Sequence, residues 1–507
     1  MITLNPEAID LATLRALWSG APASLDAASM TRVAAAATSV ERIVAGGATV
    51  YGINTGFGLL ANTRIPAERL AELQTNLIFS HSAGLGDPLP RHVTRLMIVL
   101  KLLGLGRGFS GVRPLVIDAL QALLDADAMP LIPSQGSVGA SGDLAPLAHL
   151  IAALMGHGRI DLAGTVMPAA AALQKLGREP LALGPKEGLA LINGTQASTA
   201  IALDALFAGE RVLAAALAAG AMSVDALKGS ACPFDARLHD LRGQPGQIAV
   251  AAAIRDLLDG SAIGASHPDC GRVQDPYSFR CQPQVMGAAL DLLANAARTL
   301  TIEAGAVTDN PIVFPGADGL GDEAISGGNF HAQPVAFAAD TIAIALCEVG
   351  SISERRTAVL VDPKMSRLPA FLTEDSGVNS GLMIPQVTAA ALVSENKSLA
   401  FPASVDSIPT SAGQEDHVSM APIAARKAAQ IARNAAGVIA VELIAAAQGI
   451  DFHAPLKTSA GLQNVHVKIR ALSPRFTADH YWADDLAAVQ AAVLAGEIVA
   501  FESELLG

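Results

Sequence analysis

The chain has 507 residues, of which 51% are hydrophobic and only 16% are charged, and its formal net charge is −13. Soluble proteins usually carry about 25% charged residues, so we expect an oligomer that buries much of its surface between subunits. The acidic balance and the lack of a Lys/Arg-rich run argue against nucleic acid and an anionic membrane as partners. These features fit a soluble enzyme of two or more structural units that acts on a small molecule.

Cysteine usage and the first residues of the chain indicate a cytoplasmic protein. The four cysteines form no C-x-x-C pair, which is typical of a reducing compartment. Residues 1–11 carry Glu7 and Asp10 and lack a basic region followed by an apolar run, so we expect no signal peptide. The uncharged stretches 43–63 and 376–394 contain glycines and amide side chains and make poor membrane spans.

The first third of the chain alternates helical patterns with glycine-rich turns. Apolar side chains recur at helical spacing in two places, at Leu70, Leu73 and Leu77 and at Val93, Leu96, Met97 and Leu100. Prolines and glycines between residues 130 and 142 then predict an irregular segment. We place a soft boundary near residue 198 and expect a mixed, loop-rich catalytic region over residues 1–198.

The remainder, residues 199–507, is dominated by Ala, Leu and Ile, which are strong helix formers or pack closely between helices. The longest such stretches cover residues 200–224, 283–304, 332–361 and 421–448. They predict a bundle of long helices followed by a C-terminal helical region. Few alternating β-branched runs occur, so the whole chain is predicted to be mainly α.

Three familiar motifs do not predict a functional site in this chain. Residues 106–111 spell G-x-G-x-x-G, and Asp125 follows at about the distance of a ribose-binding acid. The preceding segment has a helical pattern and no βαβ rhythm surrounds it, which favours a glycine turn over a nucleotide site. Ser141 does not lie in G-x-S-x-G, and the histidines form no H-E-x-x-H. We therefore predict neither a hydrolase triad nor a bound metal or nucleotide.

The string G-S-V-G-A-S-G-D-L-A-P-L-A-H runs from residue 136 to residue 149. A glycine-rich loop before a helix capped by Asp143 would explain the residue types in this string, but it would not explain their order. The string resembles the aromatic amino-acid ammonia-lyase family, whose members carry Ala-Ser-Gly in this context. The resemblance implies that Ala140, Ser141 and Gly142 cyclise autocatalytically, with loss of two waters, into the electrophile 4-methylidene-imidazol-5-one.

These three residue types suit that chemistry. The backbone nitrogen of Gly142 must approach the carbonyl carbon of Ala140, and a glycine has no Cβ to obstruct this approach. The hydroxyl of Ser141 can leave as water and create the exocyclic methylene. A peptide-derived electrophile then takes the place of a bound cofactor.

Further strings typical of the family follow in family order over most of the chain. They are Y-G-I-N-T-G-F-G-L-L-A (51–61), F-S-H-S-A-G (79–84), L-I-N-G-T-Q-A (191–197), V-Q-D-P-Y-S-F-R-C-Q-P-Q (273–284), T-D-N-P (308–311), S-G-G-N-F-H-A (326–332) and Q-E-D-H-V-S-M (414–420). The resemblance implies an aspartase/fumarase-like helical fold and a homotetramer whose active sites are each built from three chains.

The resemblance also implies roles for individual residues. Tyr51 matches the family's base, which needs a lowered pKa to act as phenolate. Arg280 matches the residue that holds the substrate carboxylate through forked hydrogen bonds. Asn193, Gln274 and Tyr277 match residues that surround the electrophile and the amino group. Each of these also has an ordinary interpretation. Tyr51 could be a core tyrosine and Arg280 could form a structural salt bridge, while the other three could form hydrogen bonds at turns or helix ends.

A second group of residues matches the part of the family's pocket that receives the substrate ring. His81, Met383 and Glu415 suggest the histidine-acting members, because an imidazole needs polar partners and a phenyl ring does not. Phe330 is expected to pack over the prosthetic group or the substrate. We therefore expect non-oxidative deamination of L-histidine to trans-urocanate and ammonia. A phenylalanine or tyrosine lyase, a histidine aminomutase and a non-catalytic helical relative remain alternatives.

Overall fold

The protein is described by a computed structural model that covers residues 1–46, 50, 52–53, 55, 65–267, 273–316, 321–499 and 505–506. Over these ranges the chain forms twenty α-helices and nine strands of three or four residues. The prediction of a mainly α protein is therefore confirmed. Tyr51, the predicted base, lies outside the described residues.

Eight helices precede residue 196, and most of them are short. They are α1 (Leu11–Trp18), α2 (Ala27–Ala45), α3 (Leu70–His81), α4 (Arg91–Gly106), α5 (Pro114–Asp125), α6 (Leu144–Leu154), α7 (Ala169–Lys175) and α8 (Glu187–Ile192). The apolar repeats predicted helices at α3 and α4, and both are confirmed. Gly106 is the last residue of α4, so the G-x-G-x-x-G motif follows a helix and not a strand. This placement removes the structural context that a dinucleotide site requires.

Long helices dominate the rest of the chain, as the composition predicts. The four longest are α9 (Gln196–Leu227), α14 (Gln282–Ala304), α15 (Gln333–Val361) and α18 (Ala421–Asp451). The shorter ones are α10 (Ala236–Asp240), α11 (Pro245–Leu258), α12 (Ala262–Ala265), α13 (Tyr277–Arg280), α16 (Pro363–Ser366), α17 (Met383–Leu399), α19 (Ala460–Leu472) and α20 (Trp482–Ala495).

The strands form four small sheets. They are β1 (Ile2–Leu4), β2 (Ala23–Leu25), β3 (Leu85–Pro88), β4 (Ala128–Pro130), β5 (Pro133–Gln135), β6 (Arg159–Leu162), β7 (Thr165–Pro168), β8 (Ile312–Phe314) and β9 (Glu323–Ile325). Strands β1 and β2 pair in parallel, whereas β3–β5, β4–β6–β7 and β8–β9 are antiparallel. The sheet β3–β5 fixes the chain just before the Ala-Ser-Gly loop.

Tertiary contacts divide the chain into two compact units, each assembled from three segments. Unit 1 comprises Met1–Asp204, Ala297–Ala339 and Pro402–Arg426, and unit 2 comprises Ala205–Ala296, Asp340–Phe401 and Lys427–Gly507. The predicted linear division at residues 198 and 199 describes a change in composition and stays a prediction. The core of unit 1 is built around α4 and α6, since nearly every residue from Val93 to Gly106 and from Ala145 to Leu154 is buried.

Helices α15 and α18 are long and apolar enough to cross a membrane by length and composition alone. Within their most apolar stretches, 67% and 83% of the residues are buried in the protein. Core helices of globular proteins pass the same test, so this feature is weak evidence for a membrane span.

Candidate active site

Unit 1 encloses a cavity of about 810 Å³. Its lining comes from the end of α3, the Ala-Ser-Gly loop, α8 and the loops around residues 326–331 and 411–417. Six residues that the sequence predicts for the site line it together, namely His81, Ala140, Ser141, Asn193, Phe330 and Glu415. Segments hundreds of residues apart in sequence therefore meet in one pocket, while the chemical roles of these residues stay predictions.

The Ala-Ser-Gly loop is held by a backbone contact that only glycine permits. Gly142 has a φ of 77°, and a Cβ there would lie 2.3 Å from the carbonyl oxygen of Gly194. The next amide, of Asp143, donates to that same oxygen at 2.7 Å. A glycine is therefore needed for the close approach of the two loops, independently of the ring closure that the sequence predicts for it.

Asp143 stands at the first position before α6 but does not cap that helix with its side chain. Its Oδ2 instead accepts from the backbone nitrogen of Ser198 at 2.6 Å and from the Ser198 hydroxyl at 2.9 Å. The expected N-cap role is therefore wrong, because the carboxylate ties the loop to the start of α9. Burial is the largest influence on Asp143 and raises its pKa to about 6.

Ser141 is contacted on two sides. Its hydroxyl donates to Glu415 Oε1 at 2.7 Å, and its carbonyl oxygen accepts from Asn193 Nδ2 at 2.5 Å. Asn193 directly follows α8 and is buried, and its own Oδ1 has no hydrogen-bond partner among the described residues. A donor fixed on the Ser141 carbonyl and an unsatisfied buried acceptor beside it fit the residues expected around a methylidene-imidazolone.

Glu415 is anchored as a carboxylate. Thr410 Oγ1 donates to Glu415 Oε2 at 2.7 Å, and the backbones of the two residues pair across the loop. Partial burial acts to raise the pKa of Glu415, but hydrogen bonds from Thr410, Ser141 and Ser411, together with the charge of His81, outweigh it and lower the pKa. The cavity thus carries a negative charge at the position that the sequence predicts for ring binding.

His81 is the last residue of α3, and its ring is oriented by the helix itself. Its Nδ1 lies 2.8 Å from the carbonyl oxygen of Leu77. Because a carbonyl can only accept, Nδ1 carries a hydrogen, and Nε2 is the ring nitrogen left for another partner. The cavity therefore contains an anionic acceptor at Glu415 and, at His81, a ring whose Nδ1 is held by the helix.

Two histidines of the cavity were not singled out from the sequence. The rings of His331 and His417 stack with centroids 5.8 Å apart and planes 7° from parallel, and both line the cavity. They lie within S-G-G-N-F-H-A and Q-E-D-H-V-S-M, so the strings contained them. Only the tertiary contact shows that these two residues are neighbours.

Four further predicted site residues belong to unit 2. Tyr277 begins α13 and is 71% exposed, and the Arg280 guanidinium lies 4.5 Å from the centre of its ring. Gln274 lines a separate cavity within unit 2, and Met383 begins α17 and is partly exposed. Over the described ranges the first cavity is lined by unit 1 alone.

No group of three or more His, Cys, Asp or Glu side chains that could hold a metal ion occurs in the part of the chain that the structure describes. Two polar residues of the cavity, Glu415 and Asn193, contact Ser141.

Comparisons with known proteins identify the family of this chain. Residues 9–471 match the family model described as aromatic amino acid lyase. Histidine ammonia-lyases of Paracidovorax citrulli and Burkholderia pseudomallei are 56% and 58% identical over 490 residues, covering 96% of this chain and 95% and 96% of theirs. The crystal structure of histidine ammonia-lyase from Trypanosoma cruzi is 40% identical, covers 98% of this chain and 94% of that one, and superposes with a TM-score of 0.90. The chain therefore belongs to the aromatic amino acid lyase family.

Proposed function

We propose that the protein removes ammonia from L-histidine and releases trans-urocanate, which is the first step of histidine degradation. In this reaction the bond between Cα and the amino nitrogen breaks, Cβ loses a proton, and a carbon–carbon double bond forms. The observation that carries the proposal is the cavity in which Ser141 contacts both Glu415 and Asn193. The identity of 56–58% to histidine ammonia-lyases over nearly the whole chain supports the same substrate.

Histidine suits the charge and hydrogen-bonding groups of the cavity. A substrate imidazole offers at least one N–H donor, which Glu415 can accept, and its other nitrogen can pair with a cavity donor. A phenyl ring would leave Glu415 Oε1 desolvated and without a partner once the Ser141 hydroxyl has been lost. Phenylalanine and tyrosine lyases are therefore not favoured as second candidates. A histidine aminomutase is not favoured either, because the relatives of 56–58% identity are named histidine ammonia-lyases.

The electrophile proposed from Ala140, Ser141 and Gly142 would supply an exocyclic methylene that activates the substrate's amino group as a leaving group. The chain's own residues must do the rest. Asn193 Nδ2, already 2.5 Å from the Ser141 carbonyl oxygen, would stabilise negative charge that develops on that oxygen. The Glu415 carboxylate would orient the imidazole.

Two further roles are expected of Tyr51 and Arg280. Tyr51 would accept the Cβ proton, a demanding step because that proton is not acidic. Arg280 would hold the substrate carboxylate through its two-pronged guanidinium. The contact of Arg280 with Tyr277 supports a shared surface for the charged end of the substrate.

We also propose that the protein is a cytoplasmic homotetramer whose subunits share active sites. Large apolar side chains stand exposed in unit 2, including Ile384 and Val387 on α17 and Phe401 beyond it, at 60%, 51% and 72%. Such exposure is typical of surfaces that associate. A shared site would bring Gln274, Tyr277, Arg280 and Met383 of neighbouring subunits to the cavity of unit 1.

The decisive test is incubation of the purified protein with L-histidine, L-phenylalanine and L-tyrosine, followed by identification of the products. We expect trans-urocanate and ammonia from histidine and little turnover of the other two. A β-amino acid product would indicate an aminomutase. The proposal fails if kcat/KM for phenylalanine or tyrosine equals or exceeds that for histidine.

A further inference from the structure

Lys101 is a buried cation directly behind the site. It lies in α4 and is 1% exposed. Its ammonium donates to the backbone carbonyl oxygens of Ala190 at 3.3 Å and of Asn193 at 3.1 Å. These carbonyls stand at the C-terminal end of α8, where helix carbonyls lack partners within the helix and the helix dipole is negative. Burying a charge so deeply costs free energy unless other groups compensate for it, so the contacts of this ammonium call for an explanation.

The carboxylates near Lys101 are already engaged by other groups. Asp309 accepts from the Lys186 ammonium at 3.1 Å and from the Ser110 hydroxyl at 3.0 Å. Asp143 accepts from the backbone and hydroxyl of Ser198. Lys101 forms no salt bridge within 4.0 Å in the described part of the chain, so its hydrogen bonds go to the end of α8. Of its two hydrogen bonds, the one to Asn193 is the one that involves a residue of the predicted site.

Asn193 connects Lys101 to the reacting group. Its backbone carbonyl accepts from Lys101, and its side-chain Nδ2 donates to the Ser141 carbonyl oxygen. One residue thus contacts the buried ammonium through its main chain and the reacting loop through its side chain. Loss of the ammonium would free the end of α8 and remove the positive charge that contacts the main chain of Asn193.

We propose that Lys101 is a positioning residue for the deamination, which fixes Asn193 against the Ser141 carbonyl and supplies positive charge behind it. The inference rests on the proposed function. A positive charge in a site that excludes water stabilises developing negative charge more strongly than it would in solution, and it needs no reorganisation during the reaction. Lys101 acts through Asn193 and does not touch the substrate.

The titration of Lys101 supplies a second readout. Burial lowers its pKa to about 8, while the negative charges of Asp309 and Asp143 act to raise it and the positive charge of Lys186 to lower it. Lys101 is thus protonated at neutral pH and loses its charge as the pH rises through about 8. Turnover by the wild type should fall over that range, provided that the ammonium is required.

The experiment compares Lys101→Met and Lys101→Gln with Lys186→Met, a matched loss of an equally buried lysine that bonds to Ser110 and Asp309 instead of Asn193. Intact mass gives the fraction of each protein that has lost two waters, and kcat is expressed per matured site. We expect Lys101→Met to lower kcat about 10- to 100-fold with KM for histidine within about threefold, less than the direct loss of an oxyanion donor. Lys101→Gln keeps a side-chain N–H donor, so its kcat should fall less than that of Lys101→Met.

Several results would overturn the inference. One is an unchanged kcat per matured site in Lys101→Met, and another is a rise in KM alone. A kcat loss in Lys186→Met equal to that in Lys101→Met, at equal loss of melting temperature, would show a merely structural role. If neither Lys101 variant folds, a wild-type pH profile of kcat that contains no group with a pKa near 8 that must be protonated decides against the inference. A wild type that does not deaminate histidine would instead refute the proposed function.

Discussion

The hydroxyl of Ser141 lies 2.7 Å from Oε1 of Glu415, although 274 residues separate the two in sequence. The serine is the residue whose hydroxyl must leave to form the proposed electrophile. The glutamate is the acid expected to meet the substrate ring. Their contact means that the prosthetic-group loop and the ring-binding loop share one hydrogen bond before the hydroxyl is lost, and afterwards that carboxylate oxygen is available to a substrate.

The first prediction concerns maturation of the Ala-Ser-Gly loop. The wild-type protein should weigh two water molecules less than its encoded sequence, a covalent change that mass spectrometry detects directly. Ser141→Ala lacks the leaving hydroxyl and should lose most of its activity, and it cannot form the methylene. Ser137→Ala is the control, because Ser137 lies in the same loop and only accepts from the amide of Gly139. A wild type of full encoded mass and full activity would refute the mechanism.

The second prediction concerns Glu415. Replacement by glutamine keeps an oxygen that can accept from Thr410 but removes the negative charge, so kcat/KM for histidine should fall about 100-fold with little change in melting temperature. Asp416→Asn is the matched control, since Asp416 is the neighbouring exposed carboxylate and also lines the cavity. Equal losses in the two variants would mean that only the overall charge of the cavity matters.

The third prediction concerns the pH dependence of stability and follows from Asp143. Its pKa in the folded protein is about 6, above the ordinary value of 3.8. The folded state therefore holds this proton more tightly than the unfolded chain, so Asp143 costs stability as the pH rises through that window. Relative to Asp143→Asn, the wild type should gain melting temperature as the pH falls from about 7 to about 4. A difference between the two proteins that is independent of pH would contradict the raised pKa.

Some of these features could be predicted from the sequence and others could not. The long helices follow from runs of Ala and Leu, and α4 follows from its apolar spacing, because local propensity and periodicity decide them. The contact of Lys101 with Asn193 has no local signature, since a lysine in an apolar helix reveals nothing about the carbonyls that it meets. The division of the chain into discontinuous units depends likewise on which helices pack together. The family strings contained the six predicted residues that line one cavity. They did not indicate that the Asp143 side chain bonds to Ser198 and does not cap α6.

The fourth prediction concerns the base. Tyr51→Phe removes only the phenol oxygen, so kcat for histidine should fall by about 10²- to 10⁴-fold while the fold and the two-water mass loss are retained. Tyr481→Phe is the control, because Tyr481 is 75% exposed just before α20. Rapid mixing and circular dichroism would separate a slow chemical step from a folding defect. Near-normal turnover in Tyr51→Phe would move the role of base to another residue, with Tyr277 the next to test.

The last prediction concerns substrate choice and rests on His81. Its Nδ1 is tied to the Leu77 carbonyl, so its other nitrogen is the one available to a ligand in the cavity. His81→Leu would replace this nitrogen by an apolar group of similar bulk. Histidine would then lose a hydrogen-bond partner, whereas a phenyl ring would gain an apolar neighbour.

The quantity to measure is the ratio of kcat/KM for L-histidine to that for L-phenylalanine. We expect His81→Leu to lower this ratio by about 100-fold, mainly through slower use of histidine, because a lost hydrogen bond between site and substrate is expensive in a desolvated pocket. His157→Leu serves as the control, since His157 packs edge-on against Phe79 at 4.7 Å and does not line the cavity. An unchanged ratio in His81→Leu would mean that Glu415 alone distinguishes imidazole from phenyl. A double variant of His81 and Glu415 would then show no further loss beyond Glu415→Gln.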